Sequence, residues 1–199
     1  MNIPLPSRHE RRRVQTRNRL IQATRDLLVE KGFDAISIRD ITDSADLGRG
    51  TFYIHFKDKE DAIWMVFQEM IQEFEREMHE KLDRNMPQVE YYGLLNIYRH
   101  AEKNRDVYRI MLGTRGSALL TGRVQDFIAN LFLFDIRNAS AASKVNFRIP
   151  DEIKAQLITG LISRLLFWWL ETSSPYSSVQ MATFTYEVVY RKKPPEGEK

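Results

Sequence analysis

The stretch SIRDITDSADLGRGTFYIHF (37–56) constrains this chain more than any other, because it leaves room only for two short helices and a tight turn. Ser37 is placed to cap the first of them, with Asp40 three residues on as its capping-box partner. Ile38, Ile41 and Ala45 form the stripe that this helix buries, and ADLG (45–48) breaks it. The next helix starts near Arg49 and must end around Phe56. KDKED (57–61) is itself a helix start, with Asp58 as N-cap and Glu60 and Asp61 at the positive end of the dipole. Upstream, from Val14 to Lys31, Leu20, Thr24, Leu27 and Leu28 recur at the spacing of an amphipathic helix. Gly32 is suited to the left-handed position that ends it. Residues 14–56 therefore read as three helices, the second and third forming a helix-turn-helix motif over 37–56.

One long helix follows from Asp58 to about Asn85, with Ile63, Val66, Phe67, Met70, Ile71, Phe74 and Met78 on one side and Pro87 to stop it. Helical segments are predicted at 88–104, 105–112, 117–142, 151–171 and 176–192. SKVNFRIP (143–150) reads as a loop and residues 193–199 as a disordered tail. With 9 Gly and 7 Pro in 199 residues and no convincing strand, the fold class is all-α. The organisation is a basic N-terminal arm (1–13), a helix-turn-helix domain (14–74), a larger helical body (75–192) and the tail.

Charge is unevenly placed. Residues 1–60 hold 12 Lys/Arg against 9 Asp/Glu and so account for the whole net charge of +3, while the rest is balanced. A basic end on a neutral body suggests a polyanionic partner at that end, although charge alone fits a solvated tail equally well. The chain has 0 Cys, which removes disulfides and thiolate metal sites and fits a reducing cytoplasm. The start, MNIPLPSRHERRR, is charged where a secretory signal is apolar, and the most apolar run, LITGLISRLLFWWLE, is too short to span a bilayer and contains Arg164. No membrane association is expected.

In the third helix Phe52 and Phe56 lie one turn apart and can pack with Leu47 beneath it. That turns Arg49, Gly50, Tyr53 and Ile54 to the opposite side, with His55 at its edge. An exposed face normally carries Glu, Lys and Gln, so aromatic and aliphatic residues here need a reason. DNA supplies one. Arg49 can make paired bonds to guanine, Gly50 lets the backbone approach, Tyr53 and His55 offer polar atoms to phosphates, and Ile54 can touch a thymine methyl. Lys59 would add charge at the start of the next helix, where backbone amides already favour a phosphate. The alternative, that Tyr53 and Ile54 are core residues of a larger bundle, is weakened because Phe52 and Phe56 already occupy the buried side.

GFDAISIRDITDSADLGRGTFYIHFKDKEDAIW (32–64) resembles the N-terminal domain of the TetR/AcrR family of bacterial transcriptional regulators. The matching elements are Gly32-Phe33, Ser37, Ile41, Ala45, the run Arg49-Gly50-Thr51-Phe52-Tyr53, His55-Phe56 and Lys59-Glu60, and the strong match spans about 14–74. Asp46 and Gly48 depart from it, standing where the family usually has Gly and Ser. Asp46 can still form a turn, through its side chain or a left-handed backbone, and Gly48 is a tolerated N-cap that lacks a hydroxyl for a phosphate. The resemblance implies a homodimer on double-stranded DNA, with its two third helices about 34–36 Å apart in successive major grooves over a palindromic operator. The implied DNA contacts are Ser37, Arg39, Gly48, Arg49, Gly50, Thr51, Tyr53, Ile54, His55 and Lys59. Arg8, Arg11, Arg12 and Arg13 of the arm can reach a phosphate or the minor groove.

The resemblance further implies that the last two long helices dimerise, with Gly160, Leu161, Arg164, Leu165 and Trp168 as the interface stripe. Trp168 and Trp169 point about 100° apart, so one faces the partner and the other the interior. Tyr98, Tyr108, Met111, Phe127, Leu131, Phe134 and Phe167 are candidates to line a pocket for a small-molecule effector, against the plainer reading of such stripes as core. No cofactor or metal is implied. HEKLD (79–83) has Asp where a zinc-protease motif needs its second His, and no phosphate-binding glycine loop, cysteine nucleophile or serine triad is present, so catalysis is not expected. The function implied is a transcriptional repressor released by a ligand. An activator or protein-gated regulator of the same fold, or a non-specific architectural DNA binder, stays open.

Overall fold

The computed structural model describes residues 7–81, 87–113, 118–138, 149–172 and 174–195. Among them every regular element is an α-helix: α1 (Arg8–Lys31), α2 (Ile38–Ser44), α3 (Arg49–His55), α4 (Lys59–Lys81), α5 (Val89–Lys103), α6 (Arg105–Leu112), α7 (Ala118–Asn138), α8 (Asp151–Glu171) and α9 (Ser178–Tyr190). No helix in these ranges is long and apolar enough to cross a membrane, and no group of His, Asp and Glu is arranged to hold a metal ion. The chain divides into two compact units, Met1–Ile71 and Gln72–Lys199.

In the first unit, α1 buries Leu20, Ile21, Thr24, Leu27 and Leu28. It begins earlier than its apolar period indicates. Ser7 accepts from the Glu10 amide, and Glu10 reaches back to the Ser7 amide at 2.6 Å, a complete capping box. Arg8, Arg11, Arg12 and Arg13 therefore stand in the first two turns of α1 and not in an extended arm. Gly32 ends the helix at φ +78°, where a side chain would be strained. Ile41, Phe52, Phe56, Ile63, Val66 and Phe67 complete this core.

In the second unit α5, α8 and α9 bury Tyr91, Leu95, Tyr98, Ile162, Leu166, Trp169, Met181 and Tyr186. The C-terminus of α8 is closed from outside. Arg105 donates twice to the Leu170 carbonyl, at 2.6 and 3.0 Å, and Arg109 pairs with Glu171 at 2.7 Å. The Trp169 indole donates to the Tyr176 carbonyl at 2.8 Å, fixing the turn into α9. Much of the predicted 143–150 loop, residues 196–199 of the tail, and the HEKLD stretch at His79 (side chain) and at Asp83 lie outside the described residues.

Candidate nucleic-acid interface and the helical body

Helix α3 is held in place by the turn that precedes it. Ser37 caps α2, and Asp40 returns bonds to the Ser37 amide and hydroxyl. The Ser37 hydroxyl and amide, with Lys31 beside them, lower the Asp40 carboxyl to about 2. At the other end the Leu47 amide bonds to the Thr42 carbonyl at 2.9 Å and the Asp46 amide to the Asp43 carbonyl at 3.1 Å. With Asp46 left-handed at φ +51°, this is a Schellman closure, and it uses Asp where glycine would be unstrained. The Arg19 guanidinium steadies the turn from α1, donating to the Ala45 carbonyl at 2.6 Å with Asp46 at 3.8 Å. Gly48 then opens α3 as an extended N-cap without a side-chain bond.

Helix α3 has two unlike faces. Phe52 and Phe56 are buried and pack together with ring centroids 5.5 Å apart and planes tilted by 49°. On the other side Arg49 and Gly50 are exposed, Tyr53 is 60% exposed and Ile54 67%. Tyr53 and Ile54 are thus not core residues of this unit. Ser37, Arg39 and Gly48 are also exposed, and Thr51 is half-buried. His55 sits at the edge, its pKa lowered by burial and then by the charges of Arg13 and Arg17. The first turns of α1 and the end of α3 therefore form one positively charged locality. Arg17 is itself engaged inside the unit, with Glu69 at 3.7 Å and the Phe56 ring at 5.7 Å. Lys59 is engaged too: its ammonium donates to the Phe33 carbonyl at 2.9 Å and lies 4.6 Å from the Phe33 ring centre.

In the body, Tyr98, Tyr108 and Met111 are fully buried. Tyr98 shares a 2.7 Å hydrogen bond with Thr185, and Tyr108 bonds to His100 Nδ1 at 2.9 Å. Both tyrosines are thus satisfied core residues. Phe127, Leu131 and Phe167 are half-buried, and Phe167 packs so close to Gly113 that a Cβ there would come within 2.5 Å of its ring. Phe134 does not belong to the interior. It is 61% exposed; spacing along α7 fixes the direction of a side chain but not its burial. Among the described residues two buried hydroxyls have no partner, Thr159 Oγ1 and Tyr186 Oη, and nothing in the sequence singles them out. Tyr186 lies between the rings of Tyr91 and Tyr190, at 5.5 and 5.1 Å.

Of the two adjacent tryptophans, Trp168 is 39% exposed and Trp169 is buried. Gly160 and Arg164 are exposed, and Leu161 and Leu165 half-buried. The same side of α8 exposes Ile153 and Leu157, and α9 exposes Phe184 and Val188. These four went unremarked in the sequence, although Ile153, Leu157 and Leu161 recur every fourth residue.

Comparison with known proteins gives this arrangement its context. Residues 20–62 match the family profile described as bacterial regulatory proteins, tetR family, and residues 88–191 match that of a transcriptional regulator C-terminal region. The chain is 31% identical over 78 residues to the HTH-type transcriptional repressor DhaR of Mycobacterium sp. (strain GP1), which is 39% of each chain. It is 21% identical over 178 residues to the fatty acid metabolism regulator protein of Bacillus subtilis (strain 168), covering 85% of this chain and 91% of that one. The structure of the regulator FadR from Bacillus subtilis in complex with stearoyl-CoA superimposes with a TM-score of 0.60 at 17% identity, over 86% of this chain and 96% of that one. With profiles matched in both units, the chain belongs to the tetR family of bacterial regulatory proteins and is a DNA-binding transcriptional regulator.

Proposed function

We propose that this regulator is a repressor that binds a palindromic operator as a homodimer and leaves it when a small molecule occupies the body. The observation that carries the reading is the outward face of α3, where Tyr53 and Ile54 are exposed beside Arg49 and Gly50. Arg49 reads a guanine, Ile54 touches a thymine methyl, and Tyr53, His55, Thr51, Ser37 and Arg39 hold the backbone, joined by Arg8, Arg11, Arg12 and Arg13 from the first turns of α1. Those contacts orient the head, and the two-fold axis sets the half-site spacing.

The exposed apolar residues of α8 and α9, from Ile153 and Leu157 to Trp168, Phe184 and Val188, are the dimerisation surface in this account. Left in water they would form the kind of apolar patch that marks an interface. Helix α4 belongs to both units, so an effector that favours one position of α4 changes the presentation of α3. A tenfold loss of operator affinity needs about 1.4 kcal/mol of such preference. The protein acts by binding throughout, and no catalytic step enters.

The test is titration of operator duplex with purified protein, with the complex sized by sedimentation. Two protomers per palindromic duplex, and one-sided loss of affinity on a half-site, support the reading. One protomer per site, with equal affinity for half and whole operators, overturns it.

A further inference from the structure

Two weak points meet in the turn from α2 to α3. Asp46 holds a left-handed backbone at φ +51°, which only glycine takes without strain, and its side chain is fully exposed. Gly48 opens α3 with no side-chain bond, and a Cβ on it would meet nothing within 4 Å. These are also the two positions at which the chain departs from the family pattern. Helix α2 has no basic residue in its last turn to answer the negative end of its dipole. That charge comes from α1. The Arg19 guanidinium donates to the carbonyl of Ala45, the C-cap residue of α2, at 2.6 Å and stands 3.8 Å from the Asp46 carboxylate. Arg19 is followed in α1 by Leu20 and Ile21, both buried in the core of the unit, so the guanidinium is held from a fixed base. The ion pair is exposed and contributes little by itself. The contact that matters is with the backbone, one residue before the left-handed one.

We infer that Arg19 is a positioning residue for DNA readout: it holds the α2–α3 turn in the form that Asp46 and Gly48 do not secure, and so fixes the angle at which α3 presents Arg49, Tyr53 and Ile54. This rests on the reading of α3 as the helix that contacts bases. Losing such a hold changes how well α3 fits one sequence, and so lowers the preference for operator over random duplex. Glycine makes the same turn without strain, so Asp46→Gly makes Arg19 dispensable. Loss of a phosphate contact acts otherwise. It weakens operator and random duplex together, lowers the slope of log K against log [salt] by about 0.9 per contact, and is not repaired by a backbone change at Asp46.

The experiment measures wild type, Arg19→Met, Arg19→Lys, Asp46→Gly and the Arg19→Met/Asp46→Gly double variant on the duplex recovered by selection and on random-sequence duplex, each across a range of salt. Circular dichroism at the assay temperature establishes that all are folded, and Arg49→Ala is the control for base readout. Methionine keeps the apolar stem and loses the donors, whereas lysine keeps the charge and can still reach one acceptor. Arg19→Met should lower the operator-to-random preference by about tenfold, roughly the readout of one base pair, and Arg19→Lys by less. Asp46→Gly should leave the preference as in wild type, and the double variant should fall within about twofold of it. Changes of net charge move both duplexes together and cancel in the ratio. If Arg19→Met keeps the preference while Arg49→Ala loses it, the inference is overturned and the reading of α3 stands. A salt slope smaller by about two for a dimer then makes Arg19 a phosphate contact, and a lower melting temperature alone makes it a contact of stability. A loss that Asp46→Gly does not restore also overturns the inference, because Arg19 then acts elsewhere than through the turn. Absence of any preference in wild type overturns the reading of α3 and the inference with it.

Discussion

His100 gives the body a titration that can be worked out in advance. Its ring stacks on Phe74 of α4 with centroids 4.4 Å apart, and its Nδ1 is 2.9 Å from the Tyr108 hydroxyl. Burial lowers its pKa from 6.5 to about 4, with Glu77 and Glu73 opposing and Lys103 assisting. The unfolded chain takes up that proton near pH ~6.5 and the folded chain only near pH 4, so between the two values the unfolded state binds more protons. The stability contributed by neutral His100 is thus complete above about pH 7 and is lost as the pH falls toward 4. For a shift of this size the linkage relation gives a loss of about 2 kcal/mol between pH 7 and pH 5, to order of magnitude. Urea unfolding of wild type and His100→Phe at both pH values, at one protomer concentration, measures it. Phenylalanine gives up the Tyr108 bond and lowers stability at pH 7, but its pH dependence should be flatter by about 2 kcal/mol. Carboxylates that titrate in the same range cancel in the comparison. Parallel profiles for the two proteins would refute the reasoning.

Other perturbations separate reading from folding. Tyr53→Phe should weaken binding to all duplexes alike, whereas Arg49→Ala should relax preference at one base-pair position at a cost of about 1–3 kcal/mol, both read by competition binding. Asp46→Gly relieves the left-handed backbone at φ +51° and should raise the unfolding free energy of the first unit by about 0.5–1 kcal/mol, while Asp46→Val should lower it by about 1–2, read by denaturant titration. Phe52→Ala, at a fully buried ring, should cost about 3–5 kcal/mol and be visible as a lower thermal midpoint. Leu157→Glu, at a side chain 60% exposed, should leave the fold intact and shift sedimentation toward the monomer.

The parts of this protein legible from its sequence are those decided over a few residues. Ser37 with Asp40, the turn at Asp46, and the division of α3 between Phe52/Phe56 and Tyr53/Ile54 are local matters of capping, backbone conformation and helical angle. The start of α1 was legible by the same rule but is hidden by its charge: Ser7 and Glu10 form a capping box, while four arginines around them suggest a solvated arm. Lys59 and Phe33 are 26 residues apart, and no periodicity links them. Phe134 shows the limit of helical spacing, which orients a side chain without fixing how much of it is buried. The orphaned hydroxyls of Thr159 and Tyr186 could not be foreseen, because a hydroxyl's lack of a partner depends on everything packed around it.

Selection from random duplex DNA, with the purified protein at near-physiological salt, tests the central claim most directly. Specific readout by the exposed face of α3 predicts recovery of an inverted repeat, bound about 10³-fold or more above random sequence. Measurable binding with no recovered motif, falling steeply with salt, would contradict it and leave Arg49 as a phosphate clamp.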